Sequence, residues 1–226
     1  MTKPKAAIFW SGGKDAAYAL QLALEEFDVV ELITTVDSNN SVTMHEVPFE
    51  LIEEQSKSLH PPLCKLDVTE YKNAMRNLAK NLIDRGVEHL IFGDINLEDV
   101  RQFRDDIFSE YSITTHYPLW KKDTKELFIS MVRSGWRSIP ICVETQKVGE
   151  DLLGSVLTEK TLTKLPKDVD PCGENGEFHT FVIDGPLFES TVEITTGEKY
   201  RKTFEYKTDK GQQMKTGFTF LNISKR

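Results

Sequence analysis

The chain has 226 residues, of which 39% are hydrophobic and 28% charged, and its formal net charge is −8. These proportions are typical of a folded protein with a full hydrophobic core, and the length fits one large domain or two smaller ones. An acidic balance disfavours nucleic acid as a main partner. No apolar run approaches the roughly 20 residues that cross a bilayer, so we expect no contact with a membrane.

The three cysteines, Cys64, Cys142 and Cys172, are widely separated and odd in number. This pattern favours a reducing compartment over a disulfide framework. The N-terminal residues do not resemble a secretion signal, so we expect a cytoplasmic protein. Cys64 and Cys142 lie in apolar runs and are interpreted as small core residues.

The first part of the chain, residues 5–143, alternates β-branched or aromatic runs with amphipathic stretches. This alternation predicts an α/β fold in which helices cover a parallel sheet. A strand over residues 6–10 leads through a Gly turn into a helix over 15–27, and a second strand follows over 29–36. Such a unit predicts two parallel neighbouring strands.

Further elements follow in the same part of the chain. Asp123 with Glu126 three residues later predicts the start of a helix that ends near Gly135. The other predicted elements are helices over residues 48–58, 69–85 and 98–111, and strands over residues 88–92 and 139–143.

The pattern changes beyond residue 145. A helix is predicted over residues 152–165, followed by a loop rich in Pro, Gly and Asp, and then by short strands between residues 178 and 220. Turns are predicted at residues 184–186 and 209–211. These features predict a second, smaller unit of mixed α+β structure, with domains at residues 1–140 and 141–226.

A glycine-rich run lies between the first predicted strand and the first predicted helix, where open α/β sheets bind ligands. Two glycines let the backbone approach an anion, and the helix N-terminus adds positive charge, so phosphate is the expected ligand. The run matches neither a Walker A loop nor a dinucleotide-binding motif. The alternative is a plain turn in which Asp15 favours the helix start. The run consists of Ser11, Gly12, Gly13, Lys14 and Asp15.

Gly93 and Asp94 end another predicted strand and should reach the same sheet edge as Ser11. Gly93 would let a nucleotide approach closely. Asp94 could hold Mg²⁺ or accept a hydrogen bond from a ligand, because carboxylates and phosphates share that ion. The alternative is that Asp94 caps the following helix.

A loop over residues 170–180 combines one thiol, several carboxylates and an imidazole. Cys172 could be a nucleophile or a polar residue that lines the substrate site. Glu174 or Glu177 could orient an amine or accept its proton. Substrate binding is favoured over covalent catalysis. Zinc is disfavoured because no second cysteine or histidine stands at ligand spacing. Three other histidines, His60, His89 and His116, are isolated in the sequence and receive no role.

The sequence resembles a known family. The run SGGKD at residues 11–15 resembles the signature loop of the PP-loop ATP pyrophosphatases. Residues 93–95, 118–120 and above all 171–178 (PCGENGEF) resemble the diphthine-ammonia ligase family. The matches extend from residue 5 to about residue 188, and residues 190–226 match weakly.

The resemblance implies an ATP-binding domain like that of the adenine nucleotide alpha-hydrolases, joined to a smaller substrate domain. It implies ATP, Mg²⁺ and ammonia, together with a carboxylate acceptor. In the family the acceptor is diphthine, a modified histidine on a translation elongation factor. ATP would adenylate that carboxylate and ammonia would displace AMP, so the products would be an amide, AMP and pyrophosphate.

The resemblance also implies roles for particular residues. Residues 11–15 would hold the phosphates, and Gly93 and Asp94 would lie near the nucleotide or its Mg²⁺. Cys172, Glu174 and Glu177 would face the acyl substrate and ammonia, so the resemblance implies that residues 11–15 and the loop of residues 170–177 meet in space. The sequence departs from the family pattern at two positions: Ala16 stands where Ser is common, and His179 stands where Tyr is frequent.

Three alternatives stay open. The chain could be a PP-loop ATPase that activates a different carboxylate, a PP-loop enzyme that modifies a tRNA base, or a non-catalytic ATP-sensing module. A tRNA-modifying enzyme should show paired cysteines or a basic appended domain, and neither is visible. The density of reactive groups in residues 170–180 argues against a sensor. A homo-oligomer is compatible with the sequence.

Overall fold

A computed structural model describes residues 2–43, 45–207 and 213–226 of the chain. The described residues form a five-stranded sheet with helices and a separate four-stranded sheet. The turn predicted at residues 209–211 lies outside the described residues. None of the helices within the described ranges is long and apolar enough to cross a membrane.

The first sheet has the order β3-β2-β1-β4-β5, and every neighbouring pair is parallel. The predicted parallel pairing of the first two strands is therefore confirmed. The strands are β1 (Lys5–Phe9), β2 (Asp28–Val36), β3 (Leu63–Asp67), β4 (His89–Ile91) and β5 (Thr114–His116). The helices are α1 (Lys14–Glu26), α2 (Phe49–Leu59), α3 (Tyr71–Asp84), α4 (Glu98–Ser109) and α5 (Thr124–Arg133).

Strand β1 lies at the centre of this sheet and is buried on both faces. Ala6, Ala7 and Ile8 are fully buried, as expected for a parallel strand between two layers of helices. Residues of α1 and α2 join the core on one face, and residues of α3 and α4 join the core on the other. The predicted α/β architecture is therefore confirmed.

Two edge strands, β3 and β5, were not predicted. Strand β5 is three residues long and polar, and β3 is only half-buried, so neither produces the apolar run that marks a central strand. The predicted helix start at Asp123 is confirmed, because its Oδ1 accepts the backbone N–H of Glu126 at 2.9 Å.

The second sheet is antiparallel, with the order β7-β6-β9-β8. The strand predicted over residues 139–143 exists, but it belongs to this sheet and not to the parallel one. The boundary predicted between residues 140 and 141 lies inside that strand, and the division into two domains stays a prediction. The strands are β6 (Arg137–Glu144), β7 (Phe178–Asp184), β8 (Ile194–Lys207) and β9 (Gln213–Lys225).

The helix predicted over residues 152–165 is wrong. Two short 3₁₀ turns, Glu150–Leu152 and Glu159–Thr163, occupy this region. The N–H groups of Gly154 and Leu157 donate to carbonyls of β6, at 2.8 and 2.9 Å, and so are not available to a helix. Tertiary hydrogen bonds therefore override the local helical pattern.

Strands are added to the first sheet on one side of β1 as far as β3 and on the other side from β4 onward. Strand β1 lies between β2 and β4, so the loops that follow β1 and β4 meet at the carboxyl edge of the sheet. In open α/β folds this switch point is where ligands bind. Residues 11–15 and Gly93 with Asp94 lie in or next to these two loops, which places them at the same edge.

Candidate functional site

The glycine-rich loop after β1 is held tightly by its surroundings. Gly12 has φ of +79°, a conformation that favours glycine. A Cβ at Gly12 would lie 2.6 Å from Ile52 Cδ1 and 2.8 Å from Gln55 Oε1. The Gly12 carbonyl accepts the N–H of Val182 in β7 at 2.8 Å. The loop is therefore fixed between helix α2 and the second sheet.

Gln55 is a buried amide that ties three elements together. Its Nε2 donates to the carbonyls of Gly12 and Val182, at 3.1 and 2.7 Å, and its Oε1 accepts the indole N–H of Trp10 at 2.8 Å. This residue was not among the predicted site residues. Its signal in the sequence was an amide on the same face of α2 as Leu51, Ile52 and Leu59.

Lys14 and Asp15 form a pair at the start of α1. Lys14 Nζ lies 2.8 Å from Asp15 Oδ2 and also donates to the backbone carbonyl of Cys172. Burial lowers the pKa of Lys14, but the negative charge of Asp15 outweighs burial, so the pKa is raised. Burial also raises the pKa of Asp15 despite the attraction of Lys14.

Thr180 of β7 supports the start of α1 from the other side. Its Oγ1 accepts the backbone N–H of Lys14 at 3.1 Å, and its carbonyl lies 3.2 Å from the position of a Cβ on Gly13. The sequence analysis did not identify Thr180, because its partner is 166 positions away in the chain. The helix N-terminus is thus seated directly on the second sheet.

Asp170 organises the loop of residues 170–177. Its Oδ1 accepts the N–H groups of Cys172 at 2.8 Å and Glu174 at 3.3 Å, and its Oδ2 accepts the hydroxyl of Thr124 at 2.7 Å. This carboxylate therefore fixes the backbone on which Glu174 is carried. Asp170 was not singled out in the sequence analysis.

Glu177 is 1% exposed, and both of its carboxylate oxygens are used inside the same loop. They accept the backbone N–H of Asp170 at 3.1 Å and the backbone and side-chain N–H groups of Asn175 at 2.9 and 3.0 Å. This arrangement makes Glu177 a positioning residue. It does not support the predicted contact between Glu177 and the acyl substrate or ammonia.

Cys172 is 2% exposed, and its thiol donates to the carbonyl of Thr124 at 3.2 Å. Burial raises the pKa of this thiol well above its usual range. A buried, protonated thiol is a poor nucleophile, so the nucleophilic role considered from the sequence is not supported. It is the Cys172 carbonyl, and not the sulfur, that contacts Lys14.

Glu174 is the carboxylate of this loop that contacts the segment after β4. Its Oε2 accepts the backbone N–H of Asn96, which follows β4, at 3.1 Å. Burial and the nearby negative charge of Asp15 raise the pKa of Glu174 to about 7. A carboxyl group with such a pKa exchanges protons near neutral pH. The predicted meeting of residues 11–15 with the loop of residues 170–177 is thus confirmed.

Gly93 packs against the first turn of α1. A Cβ at this position would lie 2.9 Å from the backbone nitrogen of Ala16 and 3.0 Å from the carbonyl group of Asp15. The sequence analysis expected this glycine to make room for a nucleotide. The observed reason for glycine is contact between two backbone segments, and the predicted nucleotide contact stays a prediction.

We predict that Gly93→Ala lowers the free energy of unfolding by about 1–3 kcal/mol, because the atoms in the way belong to the backbone and cannot rotate aside. ATP affinity should fall as well, since the start of α1 must move. Urea unfolding and ATP titration measure the two effects. Gly197→Ala is the matched control, because its Cβ would have no neighbour closer than 3.4 Å. Equal stability of both variants would contradict this prediction.

Asp94 forms a close ion pair with Arg104, whose guanidinium lies 4.5 Å from the centre of the Phe92 ring. Mg²⁺ prefers open carboxylate and phosphate oxygens. Within the described ranges, no group of three or more His, Cys, Asp or Glu side chains is arranged to hold a metal ion. The described residues therefore do not fit a metal held by the protein alone, and the role predicted for Asp94 stays a prediction.

Two histidines lie beside the site. The rings of His45 and His179 are 4.7 Å apart, and burial followed by the charge of Lys14 lowers the pKa of His179 to about 4. Burial also lowers the pKa of His45 well below its usual range. Both imidazoles are therefore neutral at physiological pH. His89 and His116, isolated in the sequence, contact each other at 3.0 Å elsewhere in the fold.

Fold and site together define a protein with a nucleotide-binding α/β fold, in which the glycine-rich loop after β1 is joined to the carboxylate-bearing loop that precedes β7. Two family models match the chain, the diphthamide synthase N-terminal domain over residues 4–114 and the diphthamide synthase C-terminal domain over residues 123–213. The chain therefore belongs to the diphthamide synthase family, as its motifs predicted.

Several known proteins are similar to this chain. The diphthine–ammonia ligase of Schizosaccharomyces pombe is 40% identical over 84 residues, which are 35% of this chain and 14% of that protein. The diphthine–ammonia ligase of Rattus norvegicus is 26% identical over 227 residues, with 86% of this chain and 84% of that protein covered. The chain thus spans a small part of the yeast relative and most of the rat relative.

One solved structure is similar at a low level. It is described as a predicted subunit of tRNA methyltransferase from Methanocaldococcus jannaschii, and it has a TM-score of 0.43 and 17% sequence identity. The similarity covers 80% of this chain and 97% of that structure. A TM-score of this size supports no argument about function.

Proposed function

We propose that this chain is an ATP-dependent ligase that joins ammonia to a carboxylate through an acyl-adenylate, with diphthine on a translation elongation factor as the acceptor. The names of the relatives from Schizosaccharomyces pombe and Rattus norvegicus support this activity. The observation that carries the proposal is the contact between Lys14 and the Cys172 carbonyl, together with Glu174 nearby.

The proposal assigns ATP to residues 11–15. The start of α1 supplies backbone N–H groups and a partial positive charge, and both stabilise phosphate. Ser11 adds a hydroxyl, whose oxygen accepts the N–H of Gly13 at 3.3 Å and whose hydrogen is available to a ligand. Fixed donors of this kind stabilise the charge that develops as pyrophosphate leaves.

The chemistry has two steps. An oxygen of the acceptor carboxylate attacks the α-phosphorus of ATP, and the bond from that phosphorus to the bridging oxygen breaks to release pyrophosphate. The nitrogen of ammonia then attacks the acyl carbon, and the bond from that carbon to the AMP oxygen breaks. Glu174, with its pKa of about 7, accepts the proton that the nitrogen loses.

Lys14 has a positioning role in this scheme. Its ammonium group joins the start of α1 to the loop that carries Glu174, because it contacts both Asp15 and the Cys172 carbonyl. Mg²⁺ would enter with the phosphates of ATP, and no step is assigned to it here. Within the chain, residues 1–140 would bind ATP and residues 141–226 would bind the acceptor.

We place the reaction in the cytoplasm. Cys64, Cys142 and Cys172 are all free thiols, which fits a reducing compartment. A translation elongation factor would meet the enzyme in the same compartment.

The products of ATP turnover test the proposal. Purified protein with ATP, Mg²⁺, ammonia and a diphthine-bearing elongation factor should release equal amounts of AMP and pyrophosphate and form one amide for each AMP. Release of ADP would exclude adenylation. Saturable ATP binding with no turnover would indicate a sensing module. Release of AMP only when another carboxylate replaces diphthine would show that the acceptor is that other carboxylate.

A further inference from the structure

The second sheet ends in a long hairpin whose charge differs from that of the rest of the chain. Residues 194–226 contain eight Lys or Arg and three Asp or Glu, whereas residues 1–193 contain twenty Lys or Arg and thirty-three Asp or Glu. This segment therefore has a net positive charge in an acidic chain, although four of its cations, Arg201, Lys202, Lys225 and Arg226, form ion pairs with carboxylates of residues 1–193. Such an asymmetry directs a partner of opposite charge to one place on the surface.

The outer part of this hairpin is a two-stranded ribbon. Strand β6 pairs with β9 only from Cys142 to Glu144, opposite Phe220 to Phe218. Strands β8 and β9 continue to pair beyond that point, from Thr203 opposite Gly217 to Lys207 opposite Gln213. Among the described residues no third strand joins this outer ribbon. A two-stranded ribbon alone is marginally stable in water, so a partner would stabilise it.

Aromatic side chains follow one face of the hairpin, here called the hairpin face and defined by Tyr200, Lys202, Phe204 and Phe218. Phe204 is 46% exposed and Tyr200 is 37% exposed. The Phe204 and Phe218 rings lie 5.7 Å apart, and Lys202 Nζ is 5.7 Å from the centre of the Tyr200 ring. Exposed aromatic groups next to cations are typical of the energetic centres of protein interfaces.

A row of paired residues in the second sheet leads from the hairpin face to the histidines beside the candidate site. One row across the second sheet contains His179, Cys142, Phe220 and Tyr200, which are paired in that order. At one end of the row, His179 contacts His45 beside Lys14. At the other end, Tyr200 is part of the hairpin face. A molecule docked on this face would therefore lie at the opposite end of the row from His179.

A short loop bridges the two ends of that row. Glu46 accepts hydrogen bonds from Lys202 at 2.6 Å and from the Tyr200 hydroxyl at 2.9 Å, while the adjacent His45 packs on His179. The chain's own carboxylate is thus already bound by the hairpin face. Lys202 and the Tyr200 hydroxyl are thus placed so that both can bind one carboxylate, and a carboxylate of a partner would have to displace Glu46.

We propose that the hairpin face docks an acidic surface of the acceptor protein and so brings its reacting carboxylate to the site. This inference rests on the proposed function. A protein is favoured over nucleic acid because the four residues of the hairpin face include three aromatic rings and a single cation, Lys202, whereas a phosphate backbone is bound by several cations. A second copy of this acidic chain could also dock on the hairpin face. The test separates the two partners because it measures self-association as well as binding of the elongation factor.

The test measures binding of the diphthine-bearing elongation factor directly, so that it does not depend on catalysis. Phe204→Asp places a negative charge on the face and removes its most exposed ring. We expect affinity for the elongation factor to fall at least about tenfold, with ATP affinity unchanged, since a tenfold change corresponds to only about 1.4 kcal/mol. Binding should also weaken as salt concentration rises.

Phe103→Asp is the matched control, because Phe103 is 40% exposed on α4 and not on the hairpin. Its affinity for the elongation factor should equal that of the unmodified chain. Three results would overturn the inference. The first is equal affinity of all three proteins for the elongation factor, and the second is no binding by the unmodified chain. The third is that Phe204→Asp loses only self-association or RNA binding. Failure of the proposed function is a separate result, namely normal binding without AMP release.

Discussion

Replacing Glu174 by Gln should slow amide formation at least about a hundredfold while ATP binding is retained. General base catalysis typically contributes about 10²–10⁴-fold, and Gln keeps the size of the side chain but cannot accept a proton. The Asn96 N–H that Glu174 accepts can still donate to the Gln carbonyl. The variant should therefore fold normally and lose only the proton acceptor.

The pH profile separates this role from a structural one. Because the pKa of Glu174 is raised to about 7, the carboxyl is protonated below that pH and becomes a base above it. At a fixed concentration of uncharged ammonia, the rate for the unmodified chain should rise with pH through about 7, and Glu174→Gln should lack this rise. Glu189→Gln, an exposed carboxylate paired with His60, is the control and should keep the profile. Unchanged turnover in Glu174→Gln would contradict the assignment.

Replacing Lys14 by Met should lower the free energy of unfolding by about 3 kcal/mol. Breaking a buried ion pair by removing one partner costs about 3–5 kcal/mol, and the lower figure applies because Asp15 remains 27% exposed. The Cys172 carbonyl also loses its donor. Urea unfolding measures the loss, and turnover should be abolished because the two loops are no longer joined.

The double variant Lys14→Met with Asp15→Leu tests the cause. If the loss comes from an unpaired carboxylate, removing that carboxylate should restore most of the stability but none of the activity. A double variant as unstable as Lys14→Met would show that the Cys172 contact is the larger factor. Normal stability of Lys14→Met would contradict the pairing itself.

The sequence was informative where a local pattern determined the structure. Strand β1 is a continuous apolar run because helices cover both of its faces, and α1 shows the period of an amphipathic helix. The fold class and the early elements were therefore predictable, whereas the meeting of residues 11–15 with residues 170–177 was implied only by the family resemblance. The family motif at residues 171–178 also identified the loop that carries Glu174.

The residues that hold the site in place were not predictable. Gln55, Asp170 and Thr180 act through hydrogen bonds to partners 43, 46 and 166 positions away, and no local pattern marks such contacts. The same limit applies to the roles predicted for reactive groups. Cys172 and Glu177 look like candidates for chemistry in sequence, but burial and internal hydrogen bonds give both of them structural roles.

The pKa of Glu174 likewise depends on its surroundings and not on its motif. Burial and Asp15, which lies on a different element, raise it to about 7. Its neighbour Glu177 has a similar sequence environment but sits fully enclosed in its own loop. Only the tertiary arrangement distinguishes these two carboxylates.

The most direct test of the account is a crystal structure of the chain with ATP bound. The account predicts that the phosphates contact residues 11–15 at the start of α1 and that the Glu174 carboxylate faces the same cleft, within reach of a group attached to the α-phosphate. ATP bound at any other place, or phosphates at residues 11–15 with Glu174 facing away from them, would contradict it.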